Sequence, residues 1–137
     1  MGVITDIIRI NSDDTLSFGD YTLPTKTKKE NFEVSGNFYK AKSFKEVTKL
    51  KKDNVLVYES LPGTAVHHFK VESEKVKFML EGYAPTQITL ELEPQTTYEL
   101  KIDKKVISEV QTTATGKVNF SVVATPEEQL IELNRLS

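Results

Sequence analysis

Hydrophobic and polar residues alternate along much of the chain, most regularly between residues 65 and 123. The regular segments begin at Ala65, Val76, Ile88, Tyr98 and Val118. A period of two residues with one polar face is typical of an antiparallel strand that buries one side. Turn-forming residues separate the segments at short intervals, so the pattern predicts a succession of strands packed as a β-sandwich.

The first 54 residues alternate less regularly. Val3–Ile10 and Thr15–Leu23 together predict one hairpin, and Phe32–Lys42 predicts a second. Residues 43–50 allow two interpretations. Ser43 and Glu46 have the spacing of a capping box, which favours a short helix. The apolar run Val55–Tyr58 follows soon afterwards, which favours another hairpin.

The last residues, 124–137, have a different pattern. Thr125 is a common N-cap residue, Pro126 suits the first helical position, and Glu127 and Glu128 suit the first turn. The segment therefore predicts a short C-terminal helix. Three interpretations are open for it: it covers an open end of the sandwich, docks on a partner, or stays disordered.

These patterns predict one all-β domain in 137 residues. It comprises a β meander over residues 1–54, an antiparallel Ig-like or fibronectin-like β-sandwich over residues 55–123, and the tail helix over residues 124–137. The chain has no Cys, which excludes disulfides and thiolate chemistry. No segment is long and apolar enough for a signal peptide or a spanning helix. We therefore expect a cytoplasmic protein without membrane insertion, released, if at all, by lysis or a specialised secretion system.

The segment from Leu92 to Tyr98 reads L-x-P-x-T-x-Y. This spacing resembles the turn of fibronectin type III domains that carries their tyrosine corner. By that resemblance, Tyr98 starts a strand and donates a hydrogen bond from its hydroxyl to nearby backbone, and Leu92 and Pro94 have structural roles. Two strands are predicted after this turn where a type III domain has one, so the resemblance extends to Ig-like sandwiches in general.

The chain also resembles a group of short bacterial β-proteins that carry the label endosialidase. The segments Gly19–Tyr21, Val57–Ser60 and Pro62–Val66 carry this resemblance. The label implies α-2,8-polysialic acid as a substrate, but sialidases resemble one another in binding the sugar carboxylate with an arginine cluster. The arginines here are Arg9 and Arg135, too few for a cluster of three. The resemblance therefore points to a non-catalytic module.

Few residues are candidates for catalysis or metal binding. His67 and His68 are adjacent, so within a strand they point to opposite faces and do not chelate one metal ion. We expect His67 in the core and His68 at the surface, where it is a candidate ligand-binding residue. No motif for nucleophilic catalysis or phosphate binding is present. The sequence predicts no catalytic residue, no metal site and no cofactor.

Exposed aromatic rings are the usual basis of sugar binding on β-sandwiches. The chain has no Trp, which leaves the tyrosines. Tyr83, in a loop that begins with Gly82, is the strongest candidate for a ring that contacts a ligand, and Tyr58 is a second. A glycan is accordingly a candidate partner.

Charge is unevenly distributed, although the net charge of −2 argues against a nucleic-acid partner. Residues 26–52 hold nine lysines and three glutamates, whereas residues 53–100 hold eight acidic residues and three lysines. The basic stretch either contacts an anionic polymer or forms a solvated edge that deters strand aggregation. The two stretches are also candidates for contact across a homo-oligomer interface that weakens with salt.

The sequence thus predicts a non-catalytic structural or interaction module that self-assembles. One alternative is a carbohydrate-binding module associated with a cell-surface or phage-tail glycan system. A further alternative is a polysaccharide-active enzyme.

Overall fold

The computed structural model describes residues 2–136, which contain one 3₁₀ turn at Thr5–Ile7 and thirteen strands. The strands are β1 (Ile8–Ile10), β2 (Leu16–Phe18), β3 (Thr27–Val34), β4 (Asn37–Phe44), β5 (Val47–Lys52), β6 (Val55–Leu61), β7 (Thr64–Val71), β8 (Lys75–Gly82), β9 (Pro85–Glu91), β10 (Thr97–Ile102), β11 (Lys105–Gln111), β12 (Lys117–Val123) and β13 (Gln129–Arg135). The prediction of an all-β chain is confirmed. Within the described residues, no helix has the length and apolar character needed to cross a bilayer.

The strands form two antiparallel sheets. Sheet A has seven strands in the order β1-β2-β7-β8-β13-β10-β11, and sheet B has six in the order β12-β9-β6-β5-β4-β3. Their inner faces meet in one hydrophobic core. Tyr58 of sheet B packs edge-on against Phe18 and Phe78 of sheet A, with ring centroids 5.1 Å and 5.9 Å apart.

Alternation determines which side chains enter this core. In β12, Val118, Phe120 and Val122 are buried, and the residues between them are exposed. The same rule resolves residues 43–50 as a hairpin, because Phe44 of β4 pairs with Val47 of β5. The helical alternative for this segment is wrong, because residues 47–52 form β5, and alternation along β5 buries Leu50 in the core.

The predicted tail helix is also wrong. Residues 129–135 form β13, which lies between β8 and β10 and pairs with both. Ile131 and Leu133 are fully buried there, and the intervening Glu132 lies 2.9 Å from Lys75. Hydrogen bonding along both strand edges and burial of two large side chains outweigh the local helix-capping signal.

The Ig-like or fibronectin-like assignment is not confirmed. Sheets of seven and six strands exceed the seven strands of a constant-type Ig domain. Strands from residues 1–54 lie in both sheets, since β2 pairs with β7 in sheet A and β5 pairs with β6 in sheet B.

Candidate functional site

Five lysines on the outer face of sheet B form a basic surface, here called the lysine face. They are Lys28 of β3, Lys40 and Lys42 of β4, and Lys49 and Lys51 of β5, and they line a shallow cavity of about 120 Å³. The strand register places Lys42 opposite both Lys28 and Lys49, and places Lys40 opposite Lys51. Every second residue of a strand faces the same side, so two K-x-K sequences in one hairpin bring four of these lysines together.

Two carboxylates partly balance the lysine face. Glu30 lies 3.3 Å from the Lys40 ammonium group, and Glu59 lies 3.2 Å from that of Lys49. The other three lysines form no ion pair with any residue between 2 and 136. Desolvation lowers the pKa of Lys42 below its usual value, and the positive charges of nearby lysines lower it further. Because three of its five lysines have no acidic partner among the described residues, the lysine face keeps a positive charge that the fold does not neutralise.

Polar groups continue the outer face of sheet B beyond the lysines. The register carries one row of side chains from Glu59 of β6 to Thr89 of β9 and Asn119 of β12. Asn119 donates a hydrogen bond to the Thr89 hydroxyl at 2.8 Å. A basic half and a polar half, which begins with the acid Glu59 and continues with neutral groups, therefore lie side by side on one sheet face.

One side of the sandwich, here called the open edge, is formed by β11 of sheet A and β12 of sheet B. Both strands have seven residues and stand at the end of their sheet. Six of the seven residues of β11 are exposed. Val106, Ile107 and Val123 are 58%, 54% and 66% exposed, so the open edge presents apolar side chains beside unpaired backbone.

The opposite side of the sandwich is formed by β1 and β3. Strand β1 has only three residues. Strand β3 carries Lys28 and Lys29, and its pairing with β4 is interrupted by an irregularity before Phe32. Short strands, lysines and bulges are the features that keep a sheet edge from pairing with another chain.

His67 belongs to a buried polar cluster. Its Nε2 lies 2.7 Å from Glu81 Oε1 and 3.9 Å from Glu128 Oε1, and the Tyr21 hydroxyl donates to Glu81 Oε2 at 3.0 Å. Burial raises the pKa of Tyr21 to about 12, with further contributions from the Glu81 hydrogen bond and charge. The donor atoms of His67, Glu81 and Glu128 all lie within 4.8 Å of one another, so within residues 2–136 these three side chains could hold a metal ion. The 2.7 Å contact is a hydrogen bond, and the absence of a metal site stays a prediction.

His68 lies outside this cluster, with its side chain 43% exposed. Its Nδ1 is 3.0 Å from Asp13 Oδ2 and 3.2 Å from the Thr15 hydroxyl. The hydrogen bonds from Thr15, and to a lesser extent His68, lower the pKa of Asp13. The structure therefore separates the two histidines, and His68 lines an open cavity of about 500 Å³.

The candidate aromatic residues lie in different environments. Tyr58 is fully buried, so its ring offers no surface to a ligand. Tyr83 is half-exposed; its ring stacks on Tyr21 with centroids 5.9 Å apart, and its hydroxyl donates to the Lys45 carbonyl at 2.5 Å. One face of the Tyr83 ring is therefore occupied within the chain.

The turn from Leu92 to Tyr98 is held by threonines. Tyr98 lies at the start of β10 and is buried, but its hydroxyl makes no hydrogen bond to any described residue. Thr96 donates from its hydroxyl to the Pro94 carbonyl at 2.9 Å and from its N–H to the Thr112 hydroxyl at 2.9 Å. Leu92 packs against the core. The hydrogen bond expected of a tyrosine corner is thus replaced by these threonine contacts.

Comparison of the chain with protein-family models, curated proteins and solved structures finds no match. The site residues therefore have to be interpreted from geometry alone. Sequence analysis missed the partnership of Tyr21 with Glu81, because 60 residues separate them along the chain. It identified the basic stretch but not its cross-strand arrangement, which the K-x-K spacing in a predicted hairpin could have indicated.

Proposed function

We propose that the chain is a non-catalytic interaction module that self-assembles, and that two copies meet at the open edge. The observation that carries this proposal is the contrast between the two sides of the sandwich. Both β3 and β11 are irregular at one point of their pairing, so the contrast lies in strand length on one sheet and in side-chain content. One side has the three-residue β1 and an eight-residue β3 with two adjacent lysines, whereas the other has two seven-residue strands with three apolar side chains that are each more than half exposed. The proposal does not require the sandwich to be an Ig-like or fibronectin-like domain.

Edge pairing supplies both parts of such an interface. An edge strand presents unpaired N–H and C=O groups, which a second copy satisfies when it pairs across a two-fold axis. Val106, Ile107 and Val123, each more than half exposed, would then be covered. Burial of apolar surface supplies the driving force, and backbone pairing supplies the register.

The ion pairs within the chain favour apolar contact over charge pairing between copies. Several acids of residues 53–100 already have partners within the same chain: Glu59 pairs with Lys49, Glu72 with Lys70, and Glu99 with Lys101. Glu81 is buried beside His67, so half of the eight acids are not free to meet the basic stretch of a second copy. We therefore expect the assembly to persist in salt.

Arginine placement supports the non-catalytic part of the proposal. Arg9 lies in β1 and Arg135 in β13, with β2, β7 and β8 between them in sheet A. Four strand spacings amount to about 19 Å. The two side chains are therefore not arranged to clamp one sugar carboxylate.

Analytical ultracentrifugation of the wild type and two double variants tests the proposal. We expect the wild type to associate at about 0.05 M and at about 0.5 M salt, where charge interactions differ strongly in range. Val106→Lys/Ile107→Lys places charges on the open edge and should give a monomer. Val55→Lys/Val71→Lys changes two residues that are each 50% exposed elsewhere, and should leave the assembly intact. A wild-type monomer at both salt concentrations, or equal dissociation of both variants, would contradict the proposal.

A further inference from the structure

The lysine face concentrates like charges where the fold does not need them. Neighbouring strands lie about 4.8 Å apart, and alternate residues of one strand lie about 7 Å apart. The five lysines of β3, β4 and β5 therefore project from a backbone area of roughly 10 by 7 Å. Like charges directly opposite each other destabilise a sheet, and Lys42 has a lysine opposite it on both sides.

Protection against edge aggregation does not account for this arrangement. Lysines that protect a sheet belong on its edge strand. Only Lys28 lies on the edge strand β3, whereas Lys40, Lys42, Lys49 and Lys51 lie on the interior strands β4 and β5. The four interior lysines therefore call for another explanation, and electrostatic attraction of an anionic ligand is the direct one.

We propose that the lysine face binds an acidic polysaccharide, with its lysines paired to carboxylate or sulfate groups and the adjacent polar row contacting sugar hydroxyls. Lys28, Lys42 and Lys51 have no carboxylate partner among the described residues and are available for ion pairing. On the same sheet face, Thr89 and Asn119 offer hydroxyl and amide groups of the kind that bind sugar hydroxyls. A polysaccharide that carries both charged groups and hydroxyl groups matches a surface with a basic half and a polar half.

The same surface is less suited to nucleic acid. Single-stranded nucleic acids bind through bases stacked on aromatic rings, and arginine is the usual residue for bidentate phosphate contacts. The five residues of the lysine face include neither an aromatic residue nor an arginine. Phe38, which is 49% exposed, lies two residues before Lys40 on the same face of β4, and this one ring can stack with a single base rather than with successive bases.

Fluorescence anisotropy with labelled oligosaccharides of alginate and of heparin tests the proposal on the full chain. We expect both to bind at low salt and to weaken as salt is added, and we expect neutral dextran not to bind. A labelled thymidine oligonucleotide and inorganic polyphosphate serve as anions of other classes. They should bind more weakly than the acidic oligosaccharides at matched charge.

Two matched double variants locate the site. Lys42→Gln/Lys51→Gln removes two lysines from the lysine face, whereas Lys70→Gln/Lys77→Gln removes an exposed pair that is opposed across β7 and β8 of sheet A. One exposed ion pair is worth up to about 1 kcal/mol, or about fivefold in affinity. The first variant should therefore bind up to about 25-fold more weakly, and the second should change affinity by less than about twofold.

Three results would overturn the proposal. The first is no binding of either acidic oligosaccharide, and the second is an equal loss of affinity in both variants, which would indicate attraction by overall charge. The third is tighter binding of the oligonucleotide or polyphosphate, which would assign the face to another class of anion. The substituted Lys42 and Lys51 lie on β4 and β5, away from the open edge formed by β11 and β12. Ultracentrifugation of the same variants therefore distinguishes failure here from failure of self-assembly.

Discussion

Two buried tyrosines allow a matched test of the hydrogen bonding in the core. The Tyr58 hydroxyl lies 2.8 Å from the Thr64 hydroxyl, which is also 2.8 Å from that of Ser60. All three side chains are buried, and burial raises the pKa of Tyr58 well above its usual value. Tyr58→Phe removes one member of this network and leaves a buried hydroxyl with fewer partners. We expect a loss of about 1–3 kcal/mol in the free energy of unfolding.

Tyr98→Phe is the control for that substitution. Tyr98 is as buried as Tyr58, but its hydroxyl has no hydrogen-bond partner within residues 2–136. We therefore expect a change within about 0.5 kcal/mol, the range of substitutions that break no specific contact.

Urea unfolding of both variants measures the difference, provided that the m-value stays that of the wild type. A lower midpoint for Tyr58→Phe and an unchanged midpoint for Tyr98→Phe are expected. A loss of about 1 kcal/mol or more for Tyr98→Phe would mean that its hydroxyl is engaged as in a tyrosine corner. Equal midpoints for Tyr58→Phe and the wild type would refute the account of the buried network.

Three further substitutions test other parts of the structure. Gly19 has a φ of +104° and an added Cβ would lie 2.2 Å from the Thr64 carbonyl oxygen, so Gly19→Ala should cost more than about 2 kcal/mol in thermal or urea unfolding. Lys42→Gln relieves repulsion from two opposing lysines and should raise the free energy of unfolding by up to about 1 kcal/mol at low salt. Urea unfolding at high salt should show a smaller gain, because salt screens the repulsion. The hydrogen bond from Lys75 lowers the pKa of Glu132 below 4.5, so its contribution is complete above that pH and is lost as the pH falls through the lowered value. Glu132→Gln should therefore flatten the acid side of a plot of unfolding free energy against pH.

The strands that alternate strictly were predictable from the sequence, and β13 was not. In β12, polar and apolar residues alternate without interruption, so one register buries every apolar side chain. In β13, the residue between Ile131 and Leu133 is Glu132, which is itself buried because lysines from β8 and a neighbouring turn compensate its charge. Those lysines are distant in sequence, so the local pattern showed only the helix-capping residues before the strand.

The candidate surfaces were predictable to different degrees. The lysine face depends on the spacing of lysines in the β4–β5 hairpin, which can be seen in the sequence. It also depends on β3, which pairs with β4 at the edge of sheet B and adds Lys28. The burial of Tyr58 was not predictable, because Val55–Tyr58 is apolar at nearly every position and alternation does not assign its faces. The open edge depends on which strands end each sheet, a property of topology that no local pattern specifies.

Hydrogen exchange along β11 and β12, followed as a function of protein concentration, tests the proposed self-assembly most directly. Edge amides that point away from their own sheet exchange rapidly in a monomer, and pairing with a second copy protects them. The account predicts that the outward-pointing amides within residues 105–111 and 117–123 gain protection as concentration rises, while the outward-pointing amides of β1 and β3 stay unprotected. An assembly that forms while the open edge exchanges as rapidly as in the dilute protein would contradict it.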